Sequence, residues 1–198
     1  MSGRGGRDGE GGWTLDSSGI LPVARQVPSP NFDERPPGAT IDLLVVHNIS
    51  LPPGQFGGAG IEQLFTNRLD PLAHPYFRQI HGLRVSSHFL VRRGGELVQF
   101  VACGKRAWHA GQSEWRGRPR CNDFSVGVEL EGCDDRPFED AQYRCLADVA
   151  VALRRTYPIL DCVGHSDIAM PPGRKSDPGP HFDWARFRAL LADKPGAP

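Results

Sequence analysis

The apolar positions of the chain fall into a few stretches of distinct period. Leu43, Leu44, Val45 and Val46 form a run that is apolar on both faces, as a central strand requires, and the stretch from Ile41 to Val46 ends at His47. Ser125 to Leu130 alternates instead: Val126, Val128 and Leu130 share one face, Gly127 and Glu129 the other. Ser87 to Arg92 and Glu96 to Val101 are β-rich and joined by Arg93-Gly94-Gly95, which predicts a hairpin. Helical spacing appears from Asp140 to Tyr157, where Leu146, Val149, Ala150, Leu153 and Tyr157 make one stripe, with acidic residues at its start and Arg154 and Arg155 at its end. Ile61 to Leu69 predicts a shorter helix with Leu64 and Phe65 inward. Asp183 can cap a last one in which Trp184, Phe187, Arg188 and Leu191 share a face. This order of elements predicts one mixed α/β domain, a central sheet flanked by helices.

Between these elements the chain is polar and turn-rich. Residues 1–21 begin with MSGRGGRDGEGG, which can bury almost nothing, and are expected to be a flexible extension. Pro22 to Gly38 is expected to run as an extended wrap and Ser50 to Gly60 as a loop, so the domain spans 22–191 and a tail follows over 192–198.

Composition narrows the function classes. The 198 residues are 39% hydrophobic, enough for one core, and 23 basic residues balance 23 acidic ones. Nucleic-acid binding, which needs a cationic excess, is not expected. Neither a membrane span nor an export signal is visible, so the protein is expected to act in the cytoplasm, as a monomer. Five cysteines without a C-x-x-C pair fit reduced thiols in that compartment.

Seven histidines raise the question of metal. No H-E-x-x-H is present, so any site must gather ligands from separate elements. His47, at the end of an apolar run, and His165, just after the apolar Ile159 to Val163, are candidates. The segment that follows His165 is rich in proline and glycine and carries Lys175 and Asp177 two positions apart, so in an extended conformation both can enter one site. A carboxylate can be the third ligand and an ammonium can steady an oxyanion. Glu129 is a carboxylate on an otherwise apolar strand, costly unless a cleft or a partner serves it. Glu131 shares its face, and spacing does not separate the two.

The segments LLVVHN, SSHFLVRRGGELVQFV, KRAWHAG, NDFSVGVELEG and GHSDIAMPPGRKSDPGP, in this order, resemble the zinc-dependent N-acetylmuramoyl-L-alanine amidases, a family sharing its fold with phage-type amidases and peptidoglycan recognition proteins. The likeness runs from about Pro22 to Leu191. It implies one zinc ion per chain held by His47, His165 and Asp177, with Glu129 activating water and Lys175 steadying the oxyanion, while Glu131 is structural. It further implies substrate contacts from Asn48, Arg84, Arg120, Trp108 and His109. The implied substrate is a 1,6-anhydromuropeptide, cut between the muramic-acid lactyl group and L-alanine during peptidoglycan recycling, with an indirect lowering of β-lactamase induction. One departure stands out: the loop from His165 to Lys175 is two residues longer than the family pattern, at Met170 to Gly173. Two alternatives fit the same fold, a muropeptide binder without catalysis and an amidase acting on intact wall.

Overall fold

The computed structural model describes residues 12–194. Two short strands come first in the wrap, β1 (Arg25–Gln26) and β2 (Phe32–Asp33). β3 (Leu43–Ile49) is followed by two short helices, α1 (Gly60–Phe65) and α2 (Pro75–Ile80). The hairpin is β4 (Phe89–Val91) and β5 (Leu97–Gln99), after which come the two-residue strands β6 (Arg106–Ala107), β7 (Glu114–Trp115) and β8 (Arg118–Pro119). β9 (Ser125–Glu131), α3 (Asp140–Arg154), β10 (Asp161–Gly164), α4 (His165–Ile168) and α5 (Trp184–Ala192) complete the order.

Six strands form the central sheet in the order β1-β5-β4-β9-β3-β10. It is mixed: β4 and β5 run antiparallel and every other neighbour is parallel. β2 pairs with β6 and β7 with β8 in small separate ladders. The sequence expectation of a mixed α/β domain is met.

β3 continues past His47, the predicted end of the run, through Asn48 to Ile49, because it is laddered along its full length with β9. A backbone ladder carries a strand on whatever the side chains are. In that register His47 stands beside Glu129. Leu44, Val46, Val126, Val128 and Leu130 belong to the main core, where the residues of α3 and α5 also pack. Leu43 and Val45 belong to a second cluster with Ala110, Cys121, Phe124, Val163 and Ile168. Two-residue alternation then puts His47 on the side of Leu43 and Val45.

α3 starts where Glu139 N–H donates to Gln142 Oε1 at 3.1 Å and stops at Arg154, with Tyr157 reached by one further turn. Gln142 is fully buried and its amide nitrogen donates to the carbonyls of Val91 and Glu131, which fastens α3 across β4 and β9. α5 is capped as expected, Asp183 Oδ1 accepting from Arg186 N–H at 2.9 Å. α1 is shorter than expected, its end followed by Asn67 at φ 59°. α2 is a helix the apolar pattern did not announce, led by Pro75 at its first turn with His74 accepting from Tyr76 N–H.

The amino-terminal expectation needs a correction. Residues 1–11 lie outside the described residues, but Trp13 and Leu15 pack against the main core and Leu21 is buried, its N–H donating to Gln99 Oε1 at 2.8 Å. Glycine-rich composition conceals these three apolar anchors, so packed structure begins before Pro22. At the other end Lys194 pairs with Asp148, and 195–198 lie outside the described residues.

His88 is fully buried beneath the sheet centre, Nδ1 accepting from Gly127 N–H at 3.0 Å and Nε2 donating to the Lys105 carbonyl at 3.1 Å. Burial, helped by the Arg35 charge, lowers its pKa from 6.5 to about 3. Below pH 6.5 the unfolded chain therefore takes up a proton that the folded chain refuses, and stability falls as pH drops from 6.5 toward 3. This group alone should cost on the order of 2 kcal/mol at pH 5 relative to pH 7. In His88→Gln, whose amide can accept and donate at the same two places, urea denaturation at the two pH values should show a smaller difference.

Candidate active site

Adjacent strands and one loop bring the site together. β10 lies parallel to β3, with Gly164 opposite Val46, and delivers His165 as the first residue of α4. Beyond α4 the chain loops out and returns at Asp177, held by Ser166 N–H donating to the Asp177 carbonyl at 2.9 Å and by Asn48 Nδ2 donating to the Pro178 carbonyl at 3.0 Å. Three atoms then converge: His47 Nδ1 is 3.0 Å from His165 Nδ1 and 3.0 Å from Asp177 Oδ2, and the last two are 3.1 Å apart. Among the described residues this is the one group of three or more His, Cys, Asp or Glu side chains able to hold a metal ion.

Hydrogen bonds on the far sides of the two imidazoles fix where their protons lie. His165 Nε2 is 3.0 Å from the Ala110 carbonyl, which can only accept, so the neutral ring carries its proton there and leaves Nδ1 bare. The proton on His47 is set through a chain of hydrogen bonds that begins at the Cys121 carbonyl, to which the Ser125 hydroxyl donates at 2.6 Å. Ser125 Oγ is left to accept from His109 Nε2 at 3.2 Å, so a neutral His109 has a bare Nδ1 and accepts from His47 Nε2 at 2.9 Å. Burial first, then the neighbouring imidazoles His47 and His88, pushes the His109 pKa well down and keeps it neutral; burial lowers that of His47 too. Both Nδ1 atoms thus present lone pairs to each other and to a carboxylate. Such an arrangement is repulsive on its own and is satisfied by a cation.

Glu129 stands next to this triangle, 8% exposed, and its Oε2 has no hydrogen-bond partner among the described residues. Burial, reinforced by the Asp177 charge and opposed by Lys175, raises its pKa well above the ordinary carboxylate value. A cavity of about 380 Å³ is lined by His47, Glu129, His165, Lys175 and Asp177 and also by Leu51, Tyr76, Ile80, Val85 and Trp108. A second cavity, about 560 Å³, is lined by Arg25, Arg92 and Arg93 with Glu62, Glu96 and Glu131. Its cations are already engaged, Arg25 with Glu62 and Glu96, Arg92 with Glu62 and Glu131, and Arg93 with Glu139. It presents nothing comparable to the partnerless Glu129.

Residues 37–180 match the family model described as N-acetylmuramoyl-L-alanine amidase. The chain belongs to this amidase family. It is 59% identical over 180 residues to the 1,6-anhydro-N-acetylmuramyl-L-alanine amidase AmpD of Escherichia coli (strain K12), covering 90% of this chain and 97% of that one. A crystal structure of an AmpD derivative superposes with a TM-score of 0.86 at 59% identity, over 89% of this chain and 98% of that one. The E. coli amidase AmiD, solved with anhydro-N-acetylmuramic acid-L-Ala-D-gamma-Glu-L-Lys, superposes with a TM-score of 0.56 at 30% identity, over 79% of this chain and 60% of that one.

Within the amidase, the residues singled out from sequence separate into two groups. His47, Asn48, Trp108, His109, Glu129, His165, Lys175 and Asp177 all line the one cavity. Arg84 and Arg120 do not; Arg84 is exposed beside the lining residues Leu83 and Val85, and Arg120, also exposed, pairs with Asp123. Trp108 donates from Nε1 to Asp33 at 3.2 Å, and both His109 nitrogens are committed as described, so only the faces and edges of these rings remain for a ligand. The loop from His165 to Lys175 turns outward: Pro171, Pro172 and Gly173 are exposed, while Arg174 clamps its base to the carbonyls of Met170 and Gln112 at 2.8 and 2.7 Å.

Glu129 and Glu131, which the two-residue period does not separate, differ in their partners. Glu131 accepts from Gly57 N–H at 2.7 Å, Arg92 Nη1 at 2.9 Å and Arg93 N–H at 3.2 Å, so it anchors a loop and a hairpin. Removing it leaves the half-buried Arg92 guanidinium short of one of its two carboxylate partners and frees the Gly57 and Arg93 N–H groups. Glu131→Ala should destabilise the fold by about 3 kcal/mol in chemical denaturation while bound metal per folded chain is unchanged.

Proposed function

We propose that this amidase is a zinc enzyme that hydrolyses the amide between the lactyl group of 1,6-anhydro-N-acetylmuramic acid and the L-alanine of a soluble muropeptide. The observation that carries this reading is the set of three converging, proton-free donor atoms beside a buried carboxylate without a partner. The donor set suits zinc. Bonds of about 2.0–2.1 Å in a tetrahedral shell put ligands roughly 3.3 Å apart, close to the 3.0–3.1 Å separations here. His47, His165 and Asp177 would hold the ion, and all three line the cavity.

Zinc bound there supplies Lewis acidity, which eases deprotonation of water near neutral pH and draws charge onto an amide carbonyl oxygen. Glu129 accepts the water proton and returns it to the alanine nitrogen as the C–N bond breaks, leaving a lactyl carboxylate and a free amine. Its raised affinity for protons, set by burial, suits both halves of that exchange. Lys175, exposed at the cavity wall, offers its ammonium to the developing oxyanion, a contribution of about 3 kcal/mol for one such donor. Asn48 spends its amide nitrogen on Asp134 and Pro178, which leaves Oδ1 for substrate. The Trp108 face suits the sugar ring, and Arg84 and Arg120, outside the cavity lining, suit carboxylates of a peptide that extends beyond it.

The relatives' names support the substrate assignment, and the soluble fragment points to a role in cytoplasmic recycling. Incubation with a soluble anhydromuropeptide should give anhydro-sugar and free peptide by mass, chelator should stop the reaction and zinc restore it. Binding without cleavage would favour a non-catalytic binder, and faster release from polymeric wall would favour the wall enzyme.

A further inference from the structure

Behind the ligand triangle, the two residues His109 and Ala110 serve both histidines at once. His109 Nδ1 accepts from His47 Nε2, and the next carbonyl along, that of Ala110, accepts from His165 Nε2. The dipeptide is itself pinned, its two N–H groups donating to the single Asn122 Oδ1 at 3.2 and 2.8 Å. On its other side His109 is held by Ser125, which is fully buried.

The packing shows that the ring, not merely a filler, belongs in this place. Gly127 sits mid-strand in β9, and a Cβ there would lie 2.6 Å from His109 Cγ. The central sheet thus gives up a side chain, at the cost of a glycine in a strand interior, to admit the imidazole. An apolar side chain could fill the volume but could not accept the His47 proton.

Resting on the zinc-amidase reading, we propose that the Asn122-pinned pair His109–Ala110 is a positioning device that fixes the tautomer and aim of both histidine ligands, with His109 the element that does so for His47. His109 is therefore a positioning residue rather than a substrate contact through its nitrogens. Without an acceptor behind Nε2, the His47 proton is free to move to Nδ1, where it opposes zinc. Outer partners of this kind are typically worth about 10- to 100-fold in metal affinity.

The test uses the zinc-loaded full chain and three variants, with zinc affinity read by chelator competition and the His47 ring N–H followed by ¹⁵N NMR. The parent should show a slowly exchanging His47 Nε2–H. His109→Phe should bind zinc about 10- to 100-fold more weakly and lose that protected proton. His109→Gln, whose carbonyl can accept from Nε2–H, should recover most of the affinity, a rescue that a purely space-filling role would not give. Ser125→Ala removes only the hydroxyl that holds the far side of His109 and should weaken zinc several-fold, so the proposal stays testable if His109→Phe does not fold. Parent-like zinc affinity and a protected ring proton in folded His109→Phe, or parent-like affinity in Ser125→Ala where only that variant folds, would overturn it. A parent chain that neither binds zinc nor cleaves muropeptide would instead sink the zinc-amidase reading.

Discussion

Glu129→Gln is expected to keep zinc at the parent level and to lower turnover by about a hundred- to ten-thousand-fold, the range that a positioned acid–base group supplies. Gln has nearly the same shape, and the atom being changed makes no hydrogen bond that could be lost. None of the three converging atoms belongs to Glu129, so metal content should not move. The variant should also unfold at an equal or higher temperature, because burial makes the Glu129 charge costly and the amide carries none. Metal analysis, thermal unfolding and initial rates on anhydromuropeptide check the three statements together. Near-normal rates would remove Glu129 from the mechanism, and loss of zinc with activity would recast it as part of the metal site.

Asp177→Ala is expected to lose zinc on dialysis and activity with it. The substitution deletes the one carboxylate of the triangle and leaves two imidazoles, so the loss of affinity should exceed the roughly 10- to 100-fold typical of groups behind the ligands. Asp177→Cys makes the complementary case. A thiolate is a good zinc ligand, and the same turn that brings the Asp177 side chain in, tied by Ser166 N–H and Asn48, would deliver the sulfur. That variant should retain about one zinc per chain. Retention of zinc by Asp177→Ala at parent affinity would show that the metal is held elsewhere.

Much of this site could be read along the chain because its parts sit on strongly patterned elements. The apolar run of β3 and the alternation of β9 already implied a central sheet, and alternation alone put Glu129 opposite Val128 and Leu130. The side-by-side placement of His47 and Glu129 needed the register, which depends on strand neighbours far apart in sequence. Glu129 and Glu131 share a face by the two-residue period, and what separates them is Arg92 and Gly57 arriving from other segments. Asp177 was legible as a candidate from its i, i+2 spacing with Lys175, and likeness to a family singled it out as the third ligand, because the loop that aims it has no period to read. The roles of Gly127, Asn122 and Ser125 left almost no trace; a glycine in the middle of a buried strand was the one visible sign that something packs closely there. Trp13, Leu15 and Leu21 were hidden by their glycine-rich surroundings, and α2 by having Phe77 as its one buried residue, which makes no apolar stripe.

The zinc K-edge X-ray absorption spectrum of the loaded full-length chain tests the central claim most directly, since it reads the atoms around the ion. With His47, His165 and Asp177 as ligands, the spectrum should show two imidazoles, the remaining scatterers oxygen at about 2.0–2.2 Å, and no sulfur. Cys103, Cys121, Cys133, Cys145 and Cys162 are all free thiols, so the alternative is chemically available. A sulfur shell at about 2.3 Å, or a chain that takes up no zinc, would contradict the assignment.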